Sequence, residues 1–285
     1  MISKIINGLI VLAVLSAVAI VLYPTVSDQY NRFINTRRIY SYDWMADTMD
    51  PAENREMLQE AETYNQELRE VSITDVFTEA SQRSSPRYRG LLNPNGDGIM
   101  GVLEIPKIGV KLPIYHTTED YGLSQGVGHM EGTSLPVGGE STHCGLAGHR
   151  ALPSARLFTD LDRLGRGDLI YITVLNELLV YQVDQISVVL PHELDYMSIV
   201  DGMDLLTLVT CTPYGVNSHR LLVRGRRVSL EDISEALTLS DSVDPATLPE
   251  GAVVCAVPVA AVGLLFMLLI RPKRRFRLKE PGKRK

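Results

Sequence analysis

The chain has 285 residues, 45% hydrophobic and 22% charged, enough for a full core in one large or two small domains. Its net charge of −6 conceals a split: the last fifteen residues carry nine Lys/Arg against one Glu, whereas residues 24–250 carry 18 bases against 33 acids, net −15. A body that acidic repels phosphates, which argues against nucleic acid as a partner.

Residues 1–4 precede Ile5–Tyr23, an uncharged apolar run of bilayer length. Ala17-Val18-Ala19 has the look of a signal-peptide cleavage site but lies inside the run, so the run is read as a retained anchor. Residues 24–71 predict two helices. The first covers 26–48, with Val26, Tyr30, Phe33, Ile34, Tyr40, Trp44 and Met45 near one stripe. The second begins at Asp50-Pro51-Ala52-Glu53, which offers an N-cap, a first-position proline and capping-box spacing. Its Met57, Leu58, Ala61, Tyr64, Leu68 and Val71 follow a helical repeat suited to packing on the domain.

Residues 72–98 lack periodicity and are rich in Ser, Arg, Pro and Gly, so they predict an exposed loop. Within it, Asn93–Gly98 (NPNGDG) lacks the spaced carboxylates and closing Glu of a calcium loop and reads as a turn. From Ile99 to Val228 the texture becomes β-rich. IMGVLEIPKIGVKLPIY, DLIYITVL, LLVYQVDQISVVL, LLTLVTC and RLLVRGRRV are short runs separated by Gly, Pro and Asn, with one helical-turn stretch, LPSARLFTDLDRL. The fold class is mainly β, a closed β-barrel with short helices behind an N-terminal helical region. Residues 229–250 form a polar, acidic tether. Residues 251–270 form a second uncharged span, followed by the basic tail 271–285. Basic residues flank the cytoplasmic side of spans, so both termini are expected inside the cell and the acidic body outside.

Three cysteines do not make a disulfide framework. Cys255 falls in the second span; Cys144 and Cys211 fall in the body. A cysteine nucleophile needs thiolate character, a histidine to exchange protons, and a donor for the charge that develops on a carbonyl oxygen. Cys211 is followed nine residues later by Arg220, which stays cationic and offers several N–H groups. Among six histidines, His149 stands out within GLAGHR, where Gly145 and Gly148 permit an unusual backbone path and close approach of a substrate chain. His143 is its nearest rival, and His219 alternates with Arg220 to the opposite face of a strand. On residue chemistry alone, Cys211 is either a nucleophile or a buried structural thiol, with Cys144 competing.

The stretch TLVTCTPYGVNSHRLLVRG (207–225) resembles the active-site strand pair of sortases, membrane-bound cysteine transpeptidases. LAGHR is similar to their histidine motif. LPIYH, GVGHMEGTSLPVGG and LPSARLFTDLDRLGRGD, with the two spans and the helical N-terminus, resemble class C, the pilin-polymerising sortases. The resemblance implies Cys211 as nucleophile, His149 as acid and base, and Arg220 as the residue that positions substrate and stabilises the oxyanion. It implies no metal or organic cofactor. Partners would be pilin subunits with an LPXTG-like sorting signal and an acceptor lysine, on the outer face of a Gram-positive-type membrane. Class C sortases also carry an Asp-Pro-aromatic lid. The nearest match is Asp75-Val76-Phe77, which lacks the proline and would be less stiff. A housekeeping sortase that anchors proteins to peptidoglycan and a non-catalytic pilus assembly factor are the competing readings.

Overall fold

The computed structural model describes residues 2–68, 85–193, 195–229 and 231. The chain divides into two compact units, Met1–Ser234 and Glu235–Lys285, and the first holds all the described residues. Asp75, Phe77, most of the tether, the run 251–270 and the basic tail lie outside them.

Helix α1 (Ile2–Thr48) is continuous for 47 residues. The sequence reading separated a span from a helix beginning at Val26, but the two fuse through Pro24. Proline removes one backbone donor, and the ladder continues on either side of that single loss. Tertiary packing holds the second half. The Asn31 and Asn35 side-chain amides donate to the carbonyls of Ser154 (2.7 Å) and Gln125 (2.6 Å). The buried Tyr42 hydroxyl donates to the Met100 carbonyl (3.0 Å) and accepts from the Leu175 N–H (3.0 Å). Ile39, Tyr42 and Ala46 enter the core, while Val26, Tyr30, Phe33, Tyr40 and Trp44 stay exposed.

Helix α2 (Pro51–Glu67) starts where its signals predict, with the Asp50 carboxylate accepting from the Ala52 N–H at 2.8 Å. Ala61 is buried and Met57, Leu58 and Tyr64 pack half-buried on the core, so this part of the stripe faces the domain as expected; the helix ends before Leu68, and Val71 lies outside the described residues. Asn65 clips the helix to the barrel, its amide donating to the Leu135 carbonyl (3.2 Å) and its oxygen accepting from the Leu135 N–H (2.7 Å).

The expected exposed loop over 72–98 is corrected in its second half. Helix α3 (Pro86–Gly90) is capped by Ser85 and buries Tyr88, with Leu91 and Leu92 buried behind it. One tyrosine and two leucines are enough to anchor this short piece, and its flanking Arg87 and Arg89 stay outside, paired with Glu67 and Glu119. Asn93–Gly98 is a turn, closed by the Asn93 side-chain oxygen accepting from the Gly98 N–H at 3.0 Å.

The strands are β1 (Ile99–Ile105), β2 (Val110–Tyr115), β3 (Val127–His129), β4 (Thr142–Ala147), β5 (Leu169–Val174), β6 (Glu177–Val189), β7 (Asp204–Thr212) and β8 (His219–Arg227). They close a barrel in the order β1-β2-β3-β4-β7-β8-β6-β5. The β2–β3 and β4–β7 pairs are parallel and the others antiparallel. A six-residue helix α4 (Asp120–Gln125) connects β2 to β3. Side-chain alternation sends Leu206 and Leu208 of β7 into the barrel core, and Val209 to the other face. There Val209 joins Ala147, Leu222, Val189, Met130, Met197 and Leu123 in a second, smaller cluster.

Candidate active site

The site is built where three adjacent strands, β4, β7 and β8, end together. In the β7–β8 ladder Cys211 lies directly opposite Arg220, and Thr212 opposite His219. Directly opposed residues share a face, so the thiol and the guanidinium project to the same side. The β4–β7 ladder is parallel and pairs Ala147 with Val209; the same register, carried two residues further, sets His149 level with Cys211. The backbone at this level is fixed from both sides. The Gly148 N–H donates to the Val209 carbonyl (3.0 Å), and the Thr210 hydroxyl donates to the Gly148 carbonyl (2.7 Å). The His149 carbonyl accepts from the Phe158 N–H at 3.1 Å. Cys211 and Arg220 therefore pair one step beyond the apolar row Ala147, Val209 and Leu222, and the backbone of His149 follows the end of β4 at about the same level.

Burial differs across the row. Cys211 is 7% exposed, Arg220 2%, and His149 half-buried. Arg220 Nη1 donates to the carbonyls of Asn217 and His219, each at 3.1 Å, which aims a charged fork along the end of the β7–β8 connection. That connection is tight. It begins with a cis Thr212–Pro213 bond, has Gly215 and Asn217 at positive φ, and returns the Val216 and Asn217 N–H groups to the Pro213 carbonyl.

Arg150, not singled out by sequence reasoning, bridges the segment after β4 to the end of β7. Its side chain is 8% exposed. It donates to the Thr212 hydroxyl (3.2 Å) and to the Asp162 carboxylate (2.5 Å), and its guanidinium lies 6.0 Å from the centroid of the exposed Tyr214 ring. The only sequence signal was its place directly after His149.

The competing residues have structural partners. His143 is buried, with Nδ1–H donating to the Ser198 carbonyl (2.9 Å) and Nε2 accepting from the Thr207 hydroxyl (2.7 Å); burial lowers its pKa. Cys144 points into the barrel core, where burial pushes its thiol well above the usual range. His129 is fully buried between the Ser134 carbonyl (2.9 Å) and the Tyr88 hydroxyl (2.7 Å), and burial lowers its pKa to about 4. His116 lies against the carbonyls of Leu91 and Gly98. The two glycines serve the protein's own packing rather than a substrate chain. A Cβ on Gly145 would meet the Met197 methyl at 2.4 Å, and one on Gly148 the Phe158 ring at 2.6–2.9 Å. Among the described residues no group of three or more His, Cys, Asp or Glu is placed to hold a metal ion. A large cleft opens at the far end of β7 and β8, beside Asp204 and Arg227, away from Cys211.

A closed barrel with this row of cysteine, histidine and arginine defines a cysteine-dependent acyl-transfer class, and the chain belongs to the sortase family of cysteine transpeptidases. The Sortase domain family matches residues 103–228. The chain is similar to the sortase C of Streptococcus pneumoniae, a structure described as informing catalysis and pilin substrate specificity, with 42% identity, a TM-score of 0.63, and coverage of 68% of this chain and 97% of that one. Sortase C-1 from Actinomyces oris gives 47% identity, a TM-score of 0.60, and coverage of 63% and 100%. A curated relative, sortase A of Streptococcus agalactiae serotype III (strain NEM316), is 29% identical over 176 residues, which is 60% of this chain and 66% of that protein.

Proposed function

We propose that this protein is a membrane-anchored pilin-polymerising sortase in which Cys211 is the nucleophile, His149 the acid and base, and Arg220 the oxyanion and substrate-positioning residue. One observation carries the reading: Cys211 lies directly opposite Arg220 across β7–β8, and His149 follows two residues after the end of β4, the parallel neighbour of β7. The Cys211 thiolate attacks the threonine carbonyl carbon of an LPXTG-like signal. Negative charge moves onto the carbonyl oxygen, where Arg220 N–H groups meet it. Collapse forms the thioacyl bond, breaks the Thr–Gly amide, and takes a proton from His149 to the departing amine. A lysine amine of the next pilin then attacks the thioester, passes its proton to His149, and restores the Cys211 thiolate. Asp75 and Phe77 lie outside the described residues and keep the lid role that the family resemblance gives them.

The helix α1 contains a segment long and apolar enough to cross a membrane, wholly unburied by the protein. It supports N-terminal anchoring, with the second span at 251–270 completing a two-pass topology and an extracellular barrel. The housekeeping reading has the sortase A relative in its favour, and the higher identity to sortase C structures weighs against it. Product analysis with the full chain separates them: a ladder of pilin polymer supports pilin polymerisation, and wall-linked monomer alone overturns it. Full polymerisation by Cys211→Ala would instead establish a non-catalytic assembly factor.

A further inference from the structure

The docked face of α1 accounts for Asn35, Ile39, Tyr42 and Ala46. On the opposite side, at 100° per residue, stand Val26, Tyr30, Phe33, Tyr40 and Trp44, exposed by 63%, 63%, 55%, 71% and 56%. A helix that packs one face on a domain normally turns charged and polar residues outward. This stripe does the reverse, and its spacing is regular. With Arg37 in the gap, the steps alternate four and three residues, the 3.5-residue repeat of a two-helix seam. The same alternation continues without a break into the apolar half of the helix, through Tyr23, Ala19, Ser16 and Leu12. Small residues at such positions let membrane helices approach closely.

We infer that α1 is a dimerisation helix, its outward seam packing in parallel against the same seam of a second copy of this chain. The inference rests on reading residues 5–23 as a membrane span, because the bilayer then fixes both copies in one orientation and confines them to two dimensions. Along the flanks of the seam Gln29, Thr36 and Ser41 are uncharged; Asp43 is the charged flanking residue beside Trp44, and the seam ends there, because the next position is the exposed Asp47. Arg37 is the polar member, a residue type that fixes register at some expense of stability, and its guanidinium lies 5.0 Å from the centroid of the Phe33 ring. The four aromatics, at roughly 150–250 Å² each, present on the order of 400 Å² per copy. That is about half of a standard interface side, with the span supplying further contact. A headgroup belt explains only the membrane-proximal end, since Trp44 lies 21 residues, roughly 30 Å of helix, beyond Tyr23. The docked face of α1 meets β1 and β2 through Met100 and Tyr115, and the segment after His149 through Ser154 and Arg156.

The test uses the full chain in phosphatidylglycerol/phosphatidylcholine vesicles, with Cys144, Cys211 and Cys255 replaced by serine. Single cysteines replace seam residues (Tyr30→Cys, Tyr40→Cys) or exposed off-seam residues (Thr25→Cys, Arg32→Cys). The seam positions should give about tenfold more oxidised dimer than the off-seam ones, and Phe33→Gln with Trp44→Gln should abolish that difference. Uniform or absent cross-linking in protein that floats with the vesicles overturns the dimer and leaves the anchor reading intact; failure to float overturns the anchor and the dimer with it. Trp44 is the only tryptophan, so its emission reports directly on the seam. Quenching by brominated lipid would show a bilayer-covered face and overturn the proposal. Protection of Tyr40→Cys from a water-soluble maleimide at one copy per vesicle would show cover by the chain itself, with the same consequence.

Discussion

Cys211 and Arg220 are direct partners across the β7–β8 ladder, and the arginine is held almost entirely out of solvent. A buried guanidinium beside a thiol is a costly arrangement for stability alone, since removing a cation from water needs compensation by partners. It is well suited to meeting an oxyanion that appears only during reaction. Arg220→Lys keeps the charge but loses the planar fork. It should lower kcat by about 10²–10³-fold, while the loss of its bonds to the Asn217 and His219 carbonyls costs only about 1–3 kcal/mol and leaves the protein folded. A kcat within twofold of the parent would remove Arg220 from this role.

Arg150 ties the segment carrying His149 to the strand end carrying Cys211, through Thr212 and Asp162. Arg150→Gln should slow transpeptidation more than it weakens substrate binding, so kcat falls while KM holds. Loss of its charge-assisted bonds should destabilise the fold by about 1–3 kcal/mol. Steady-state kinetics with a sorting-signal peptide, alongside urea unfolding, separate the two effects. A rise in KM alone would place Arg150 in substrate binding instead.

Gly148→Ala adds a methyl group 2.6–2.9 Å from the Phe158 ring, immediately before His149. Either the ring or the strand end must move. Overpacking of this kind costs about 1–3 kcal/mol and should displace His149 with it. The variant should unfold at lower urea and react more slowly. Unchanged stability would mean that Phe158 repacks freely.

His129 gives the fold an acid limit. Burial lowers its pKa from 6.5 to about 4, so the folded protein holds it neutral while the unfolded chain takes up a proton near pH 6.5. Its contribution is complete above that pH and is lost as pH falls toward 4, a total of roughly 3 kcal/mol. Burial shifts His143 in the same direction. Urea midpoints should therefore fall between about pH 7 and pH 4.5, and less steeply in His129→Gln. An identical slope in both proteins would contradict the assignment.

The two described cysteines should differ in chemistry. Burial in the barrel core raises the Cys144 thiol, and its side chain has no route to reagent in the folded state. Brief treatment of the native full chain with iodoacetamide should modify Cys211 and spare Cys144 until urea is added. Peptide mass spectrometry reads the ratio, and early modification at Cys144 would be the contrary result.

The barrel and its reactive row were legible because their signals are local. Alternating β-formers mark β1, β2 and β5–β8, and the Cys211–Arg220 interval is one tight connection between adjacent strands. Strands β3 and β4 escaped because VGH and THCGLA are short, rich in Gly and His, and paired with distant partners, Val127 to Ile114 and Cys144 to Leu206. Tyr88 looked like part of a loop because arginines flank it; only the fold supplies the His129 side chain that meets its hydroxyl. The stripe over 26–48 marked a helix correctly, but it is not the face that docks. The residues that dock, Asn31, Asn35 and Tyr42, do so through hydrogen bonds to backbone groups far along the chain, which apolar periodicity does not register.

The most direct test of acyl transfer at Cys211 is to catch the thioacyl enzyme. The full chain would be mixed with a peptide bearing an LPXTG-like signal, quenched in acid within the first turnover, and digested for mass spectrometry. The account predicts an added mass equal to the signal fragment ending in threonine, located on the Cys211 peptide and missing from Cys211→Ala. The same adduct on Cys144, or peptide cleavage by Cys211→Ala at the parent rate, would contradict it.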